Sequence, residues 1–372
     1  MSTRPRLCIV IPSLDVGGTE RQVRYLVEGL AGDFDIDVVC TRQRGAWAEH
    51  VEPLANVTHL GIRSAWDPRI FFLLWKHFRS NLPDIVQTFL FGFDHTANSA
   101  ARRAGVPVVV SSRRERATWK KPRHVWLQRR ANSNVDAIVA NSSAVAVFCS
   151  EQEIQPLDRY EVIYNAVAPE EESETTIDAR VDMTVPHTVP LVGMVANCAP
   201  EKDRELFVAM AERIRAKWPD AHFALIGDGP RREAIQRLVV HRGLADAFRF
   251  LGSKPQLRAY YEAMDVFVLT SKTEGMPNVV LEAMAYARPV IAAAVGGIPE
   301  VVSDRVTGLL IPSRNPDAFA AAVLELFDRP DERERIGRQS AVYVRERFSP
   351  QAMVDAYRSL YLRLLAQKRG TA

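Results

Sequence analysis

The sequence predicts an α/β protein built of two doubly wound domains, each a parallel sheet with helices on both faces. Three observations predict it. A chain of 372 residues is long for one hydrophobic core, and chains of this length tend to divide. Short apolar runs alternate with helical or loop segments, the pattern of parallel βαβ units whose strands are covered on both faces. That alternation breaks once, at an acidic aperiodic stretch, and then starts again.

The first half opens with a buried-strand run, "RLCIVIPS", then Gly17-Gly18 and a helical stretch, "TERQVRYLVEGL". Strand-like runs recur at "IDVVCT", "DIVQTFL", "VPVVVSS", "DAIVANS" and "EVIYNAV". The stretch "APEEESETTIDARVDMTVPHTVP" follows and reads as a linker near residues 169–189. The second half restarts with "PLVGMVAN", a helix over "DRELFVAMAERIRAKW", and strands at "HFALIGDG", "FRFLGS", "VFVLTS", "RPVIAAA" and "TGLLIPS". The end, "SPQAMVDAYRSLYLRLLAQKRG", is an amphipathic helix with Ser349 placed to cap it and Pro350 in the first turn. The expected division is 1–168, a linker over 169–189, 190–348, and a C-terminal helix over 349–372. Open α/β sheets bind ligands at the carboxyl ends of their strands, so two such domains facing each other place a site in the cleft.

Composition sets outer limits. Hydrophobic content of 47% and charged content of 25% are ordinary for a soluble globular protein, and a net charge of +3 favours no partner class. Cys8, Cys40, Cys149 and Cys198 are scattered without a C-x-x-C pair, which argues against a disulfide framework or a cysteine metal site. The N-terminal apolar run meets Pro12 and Asp15 too early for a signal peptide, and no run approaches a membrane span. A cytoplasmic location is expected, with room for peripheral contact on the inner face of the plasma membrane.

The chemistry concentrates in "TSKTEGMPNVVLEAMAYARPVIA", residues 270–292. A strand leads into a Gly-Met-Pro-Asn loop, and Pro277 suits the first turn of a helix. Asn278, Val279 and Val280 then offer backbone amides at a helix start, where about half a positive charge favours a phosphate. Glu274 precedes the helix and Glu282 lies about a turn inside it. A diphosphate on the amides would separate the two carboxylates, one towards each end of a ligand.

This stretch resembles the E-x7-E signature of the retaining GT-B glycosyltransferases, and specifically glycosyltransferase family 4 (glycosyl transferases group 1). "PSLDVGGTERQ" is similar to the family's N-terminal glycine loop, "VANCAPEKD" to its basic loop, and "LIGDGPRREAI" and "VTGLLIPSRNPDAFA" to further family segments. The resemblance implies two Rossmann-like domains facing across a cleft, the first for the acceptor and the second for a nucleotide-sugar, with a C-terminal helix returning to the first. It implies that Glu282 takes the ribose hydroxyls of the donor, Glu274 the transferred sugar, and the amides after Gly275 and Met276 the diphosphate. Lys202 would neutralise charge on the departing nucleoside diphosphate. Gly17 and Gly18 would let backbone approach the donor or acceptor; a tight strand-to-helix turn is the other reading of the pair. No metal or other cofactor is implied.

Two positions depart from the family. Asn197 stands where many members carry arginine, and its amide donates a hydrogen bond without charge. Arg113 stands near a family histidine and, always protonated, suits a sugar oxygen or an anionic acceptor group better than base chemistry; His95 is the other acceptor-side candidate, with a capping role as the alternative. "DFDID" (Asp33, Asp35, Asp37) is read as a solvated strand edge, not as a metal motif, and "IGDGP" is an incomplete dinucleotide fingerprint. From Arg102 to Arg130 ten basic residues face Glu115 alone, with Trp119 and Trp126 among them. That segment fits a solvated face, an anionic lipid surface or a lipid-diphosphate acceptor, and no nucleic-acid motif accompanies it.

The expected activity is transfer of a sugar from a nucleoside-diphosphate sugar to an acceptor hydroxyl of a glycan or lipid-linked sugar, with retention. A nucleotide-sugar epimerase of the same fold, or a catalytically silent sugar-nucleotide-binding subunit, are the alternatives.

Overall fold

A computed structural model describes residues 4–64, 67–89, 92–169 and 177–370. The chain forms two compact units, residues 1–166 with 350–372, and residues 167–349.

In the first unit, seven parallel strands run β1 (Arg6–Ile11), β2 (Asp35–Cys40), β3 (Asn56–His59), β4 (Ile85–Thr88), β5 (Val108–Arg113), β6 (Ala137–Ala140) and β7 (Tyr160–Val162), ordered β3-β2-β1-β4-β5-β6-β7. The intervening helices are α1 (Gly18–Leu30), α2 (Ala48–Val51), α3 (Arg69–Asn81), α4 (Asp94–Ala104), α5 (Pro122–Ala131) and α6 (Ser143–Glu153). Side chains alternate across a strand, so a strand buried on both faces must be apolar at every position. β1 obeys this: Leu7, Ile9 and Ile11 feed the core under α1, whereas Cys8 and Val10 feed the core under α3, α4 and α6. β3, "NVTH", has no such run. It is a short, partly exposed edge strand and carries no sequence signal of its own.

The second unit holds α7 (Ala179–Asp182), β8 (Leu191–Val195), α8 (Arg204–Arg215), β9 (His222–Ile226), α9 (Arg232–His241), β10 (Phe248–Gly252), α10 (Arg258–Ala263) and β11 (Val266–Leu269). It continues with α11 (Asn278–Ala285), β12 (Val290–Ala293), α12 (Ile298–Val301), β13 (Gly308–Ile311), α13 (Pro316–Asp328) and α14 (Pro330–Arg347). Its parallel sheet is ordered β10-β9-β8-β11-β12-β13. The strand order reverses between β8 and β11, so the crevice at their carboxyl ends is the binding position of this fold type.

The last helix, α15 (Pro350–Gly370), belongs to the first unit. Its buried residues Met353, Val354, Tyr357, Leu360, Tyr361 and Leu364 recur every three or four positions and join the core with β1 and α1. Tyr361 donates from its hydroxyl to Gln87 Oε1 at 3.1 Å.

The linker expectation needs correction. Residues 170–176 lie outside the described residues, but 177–189 are packed into the second unit. Asp178 caps α7 through the amides of Arg180 and Val181. The buried Arg180 guanidinium then donates to Asp265 at 2.9 Å and to the carbonyls of Pro186 and Val189 at 2.8 Å each. An arginine that satisfies backbone carbonyls fixes a segment that has no apolar periodicity.

Candidate active site

Two loops meet at the carboxyl ends of β8 and β11. The loop after β8 carries Asn197 and ends in a 3-10 turn, Pro200–Lys202. Two features hold it. The Arg204 side chain, 2% exposed, reaches back to the carbonyls of Ala196 and Ile226. Gly227, at φ +114°, lies so close to this loop that a Cβ there would sit 1.9 Å from the Ala196 oxygen. "IGDGP" is therefore a packing motif that seats the basic loop.

The Thr270 hydroxyl, just past β11, lies 3.0 Å from the Lys202 carbonyl and 2.9 Å from that of Asp203. The Lys272 amide donates to the Glu201 carbonyl at 2.7 Å. These contacts bring the Lys202 ammonium onto Glu274, with Nζ 2.6 Å from Oε1 and the two side chains 19% and 8% exposed. Arg314 pairs with Asp203 at the next position. Behind Glu274, Gly296 has φ +56°, and a Cβ there would lie 1.9 Å from the Glu274 carbonyl oxygen. The Gly297 amide donates to the Gly275 carbonyl at 3.0 Å, so the loop after β12 braces the one after β11.

Glu282 faces inward from α11 and is 6% exposed. It accepts a hydrogen bond from the Tyr261 hydroxyl at 2.9 Å. Tyr261 is fully buried and stacks on Tyr286 with centroids 5.7 Å apart. α11 starts at Asn278, so Pro277, expected in the first turn, is instead the extended N-cap just before it, and Met276 is buried. The expected row of three amides is shorter than read: Val280 N–H donates to the Pro277 carbonyl at 3.1 Å and is spent within the helix. Asn197 is exposed on its loop.

The structure thus brings Lys202, Glu274, Gly275, Met276 and the α11 start together in the second unit, with Glu282 one turn further on. Tyr261, Thr270, Arg204 and Gly296 belong to the same construction and were not read from the sequence. Tyr261 sits in "RAYYEAMDVF", where two tyrosines beside apolar residues look like core.

The first-unit candidates are placed separately. Gly17 and Gly18 open α1, and Gly17 is extended, not left-handed. A Cβ at Gly17 would meet the Glu20 carboxylate at 2.2 Å, so the glycine makes room for that group. Burial pushes the Glu20 carboxyl above its usual range, with Asp15 adding to the shift. His95 is half-buried at the start of α4, its amide donating to Asp94.

Arg113 contradicts the acceptor-side expectation. It is 4% exposed and donates to both oxygens of Glu153 at 2.7 and 3.0 Å, to Ser111 at 2.7 Å and to Asn132 at 2.9 Å. Burial opposes the charge of each partner, but their mutual attraction outweighs it. The guanidinium pKa is raised and the Glu153 carboxyl is held below its usual range. Arg113 is a core residue with its hydrogens committed.

The basic segment divides in the same way. Arg102 pairs with Asp136, Lys120 turns inward to 3.8 Å from Glu153, and Arg114 bonds Asn165. Arg103, Lys121, Arg123, Arg129 and Arg130 stay exposed, with Trp119 and Trp126. The "DFDID" aspartates also separate. Asp33 and Asp35 form exposed pairs with Arg358 and Arg4, whereas Asp37 is partly buried, pairs with His77 and accepts from the Cys8 thiol at 3.8 Å. Cys8, Asp37 and His77 are the group among the described residues that could hold a metal ion, and their polar atoms satisfy one another.

Comparison with known proteins identifies the family and the fold. The glycosyltransferase family 4 profile matches residues 16–171 and the glycosyl transferases group 1 profile matches residues 189–329. The chain is 26% identical over 364 residues to the lipopolysaccharide core biosynthesis glycosyltransferase LpsE of Rhizobium meliloti, covering 95% of this chain and 96% of that one. It is 30% identical over 174 residues to the alpha-D-kanosaminyltransferase of Streptomyces kanamyceticus, covering 46% of this chain and less than half, 45%, of that enzyme. The solved structure of Anabaena HepE in complex with UDP and glucose shares the fold, with a TM-score of 0.82 at 17% identity over 96% of this chain and 99% of that one. With both halves matched and both sheets wound as this fold requires, the chain belongs to glycosyltransferase family 4, the group 1 glycosyl transferases of GT-B fold.

Proposed function

We propose that the protein transfers a sugar, with retention of configuration, from a nucleoside-diphosphate sugar to a hydroxyl of a glycan or lipid-linked acceptor at the cytoplasmic side of a membrane. The observation that carries this reading is the ion pair of Lys202 with Glu274 at the mouth of α11, one turn before the Tyr261-held Glu282. A fold neighbour that holds UDP and glucose supports the donor class.

On this reading Glu282, its carboxylate aimed by Tyr261, accepts from the ribose hydroxyls. The first turn of α11 receives the diphosphate, and Lys202 moves from Glu274 towards the phosphates as charge builds on them. That interaction grows towards the transition state and so speeds the step instead of merely tightening binding. Glu274, released from the ammonium, accepts from hydroxyls of the sugar. The bond from the anomeric carbon to the diphosphate oxygen breaks as the bond to the acceptor oxygen forms on the same face. The acceptor proton leaves with the phosphate oxygen. No carboxylate of the pair is asked to form a covalent intermediate, and no metal is required in this scheme. With Asn197 uncharged, Lys202 is its principal cation. The exposed basic residues of the 102–130 segment are assigned to an anionic membrane surface.

The test is a panel of nucleotide-sugars assayed for nucleotide release with and without acceptors. Release with sugar transferred in the α configuration supports the proposal. Sugar conversion without nucleotide release would point to an epimerase, and tight donor binding with no turnover across a broad acceptor panel would point to a silent binding subunit. A donor screen by thermal shift comes first, because a ligand selective for the folded state raises its stability.

A further inference from the structure

α3 is apolar on two faces. Its inward face, Ile70, Leu74 and Phe78, fills the first unit's core. Its outward face carries Phe72, Leu73 and Trp75, which are 67%, 37% and 37% exposed. A helix packed on a sheet ordinarily turns charged residues to water on that side. Here the exposed charged residues are Arg69, Lys76 and Arg79, and the whole helix, "RIFFLLWKHFRSN", contains no acidic residue. Arg69 is paired with Asp67, while Lys76 and Arg79 have no ion pair among the described residues.

α3 packs against α4, and α4 against α5. α5, "PRHVWLQRRA", repeats the chemistry: no acid, exposed Trp126 with the Arg130 guanidinium 5.9 Å from its ring centroid, and exposed Arg123 and Arg129. The exposed Arg103 lies in the last turn of α4 between them. These helices, packed in series, each expose a cation that has no ion pair among the described residues, and α3 and α5 expose aromatic rings as well.

We infer that α3 is the element that inserts into an anionic lipid bilayer, its Phe72, Leu73 and Trp75 entering the headgroup–acyl boundary while Lys76 and Arg79 meet the headgroup charge. The inference rests on the reading that the 102–130 segment faces such a surface and adds the apolar anchor that reading lacks. Charge complementarity selects the occupant: apolar area gives depth, and each cation near an anionic surface adds attraction that salt weakens. Among the described residues no helix is long and apolar enough to cross a membrane, so binding of this kind lies in the interface plane.

The experiment is co-sedimentation of the full chain with vesicles of phosphatidylglycerol and phosphatidylcholine, and with phosphatidylcholine alone. Wild type should bind the anionic vesicles, shift its tryptophan emission to the blue and release at high salt. The Phe72→Ser/Trp75→Ser variant should bind at least tenfold more weakly while keeping its circular-dichroism spectrum and melting temperature, because both side chains point away from the core. An Arg123→Ala/Arg129→Ala/Arg130→Ala variant separates the two readings. If it loses binding while the α3 variant binds as wild type, the α3 anchor is refuted and the basic segment stands. If wild type binds neither vesicle, both fall. If wild type is instead a dimer in solution that the α3 variant dissociates, without binding lipid, the face is a self-association surface and the inference is overturned.

Discussion

Tyr261→Phe tests the proposed donor site through a residue that the sequence did not single out. The substitution keeps the ring stacked on Tyr286 and removes only the hydroxyl that donates to Glu282 at 2.9 Å. Both partners are nearly inaccessible, Tyr261 at 0% and Glu282 at 6% exposed, so water replaces the lost donor poorly. A hydrogen bond to a charged group contributes about 1.5–3 kcal/mol. For a unit of about 150–250 residues each kcal/mol shifts the melting temperature by about 2–4 °C, so the drop should be ~3–12 °C. If Glu282 holds the ribose as proposed, part of the loss should reappear as weaker donor binding, because a carboxylate that has lost this hydrogen bond meets the ribose in more than one orientation. A tenfold change in affinity corresponds to about 1.4 kcal/mol, and about that much is expected. Calorimetric titration of nucleotide against wild type, Tyr261→Phe, Glu282→Gln and the double variant gives the coupling energy. If Tyr261→Phe weakens nucleotide binding in a Glu282→Gln background as much as in wild type, Tyr261 does not act through Glu282 and the argument fails.

Three further outcomes follow from the same geometry. Lys202→Ala should lower turnover by about 100- to 1000-fold while changing nucleotide affinity less than Glu282→Ala does, since its contribution is made mainly in the transition state; equal effects on both constants would reject that assignment. Gly296→Ala places a Cβ 1.9 Å from the Glu274 carbonyl oxygen at a φ of +56°, and should cost about 1–3 kcal/mol of stability together with most transfer activity, read by thermal melting and nucleotide release. The buried Glu153 carboxyl is held below its usual range by Arg113, so its contribution is present above the unfolded carboxylate pKa and lost as pH falls through the lower folded value. Glu153→Gln removes the carboxylate that Arg113 chelates and leaves Asp94 as its acidic partner, should cost about 3–5 kcal/mol at neutral pH, and should flatten the acid limb of the stability profile measured by chemical denaturation.

The strands were legible because burial on both faces requires uninterrupted apolar residues, as in "RLCIVI" and "VFVL". β3 was not, since "NVTH" lies at an edge and is partly exposed. The same distinction separates the site residues. Glu274, Met276 and Glu282 belong to one loop-and-helix start, so their relation is local and can be read along the chain. Lys202 meets Glu274 across 72 positions and Tyr261 meets Glu282 across 21, which only the sheet order determines. The misreading of Arg113 has this origin too. Its partners Asp94 and Glu153 lie 19 and 40 positions away, so the run of cations looked unpaired. Arg102, Arg113, Arg114 and Lys120 of that run are tied to partners within the first unit, and the cations that remain exposed belong to the proposed lipid-facing surface with α3.

The Lys202–Glu274 pair also bears on why an uncharged Asn197 is tolerable in the proposed scheme. An exposed lysine samples many orientations, and holding it at a developing charge costs side-chain entropy. Here the ammonium is already fixed by a carboxylate 8% exposed, on a loop tied to β11 through Thr270 and braced from behind at Gly296. On the proposed scheme, a donor entering the site exchanges one anion for another around a cation whose position is set beforehand. The Lys202 charge therefore counts for more than that of a free surface lysine. In the proposed scheme the pair also links recognition to chemistry, because there Glu274 becomes available to the sugar only when Lys202 is drawn to the phosphates. Glu274→Gln would break that link from the other side: with the competing carboxylate gone, free nucleoside diphosphate should bind more tightly while transfer falls. Weaker nucleotide binding in that variant would show that Glu274 supports the phosphate site directly and that the exchange does not occur.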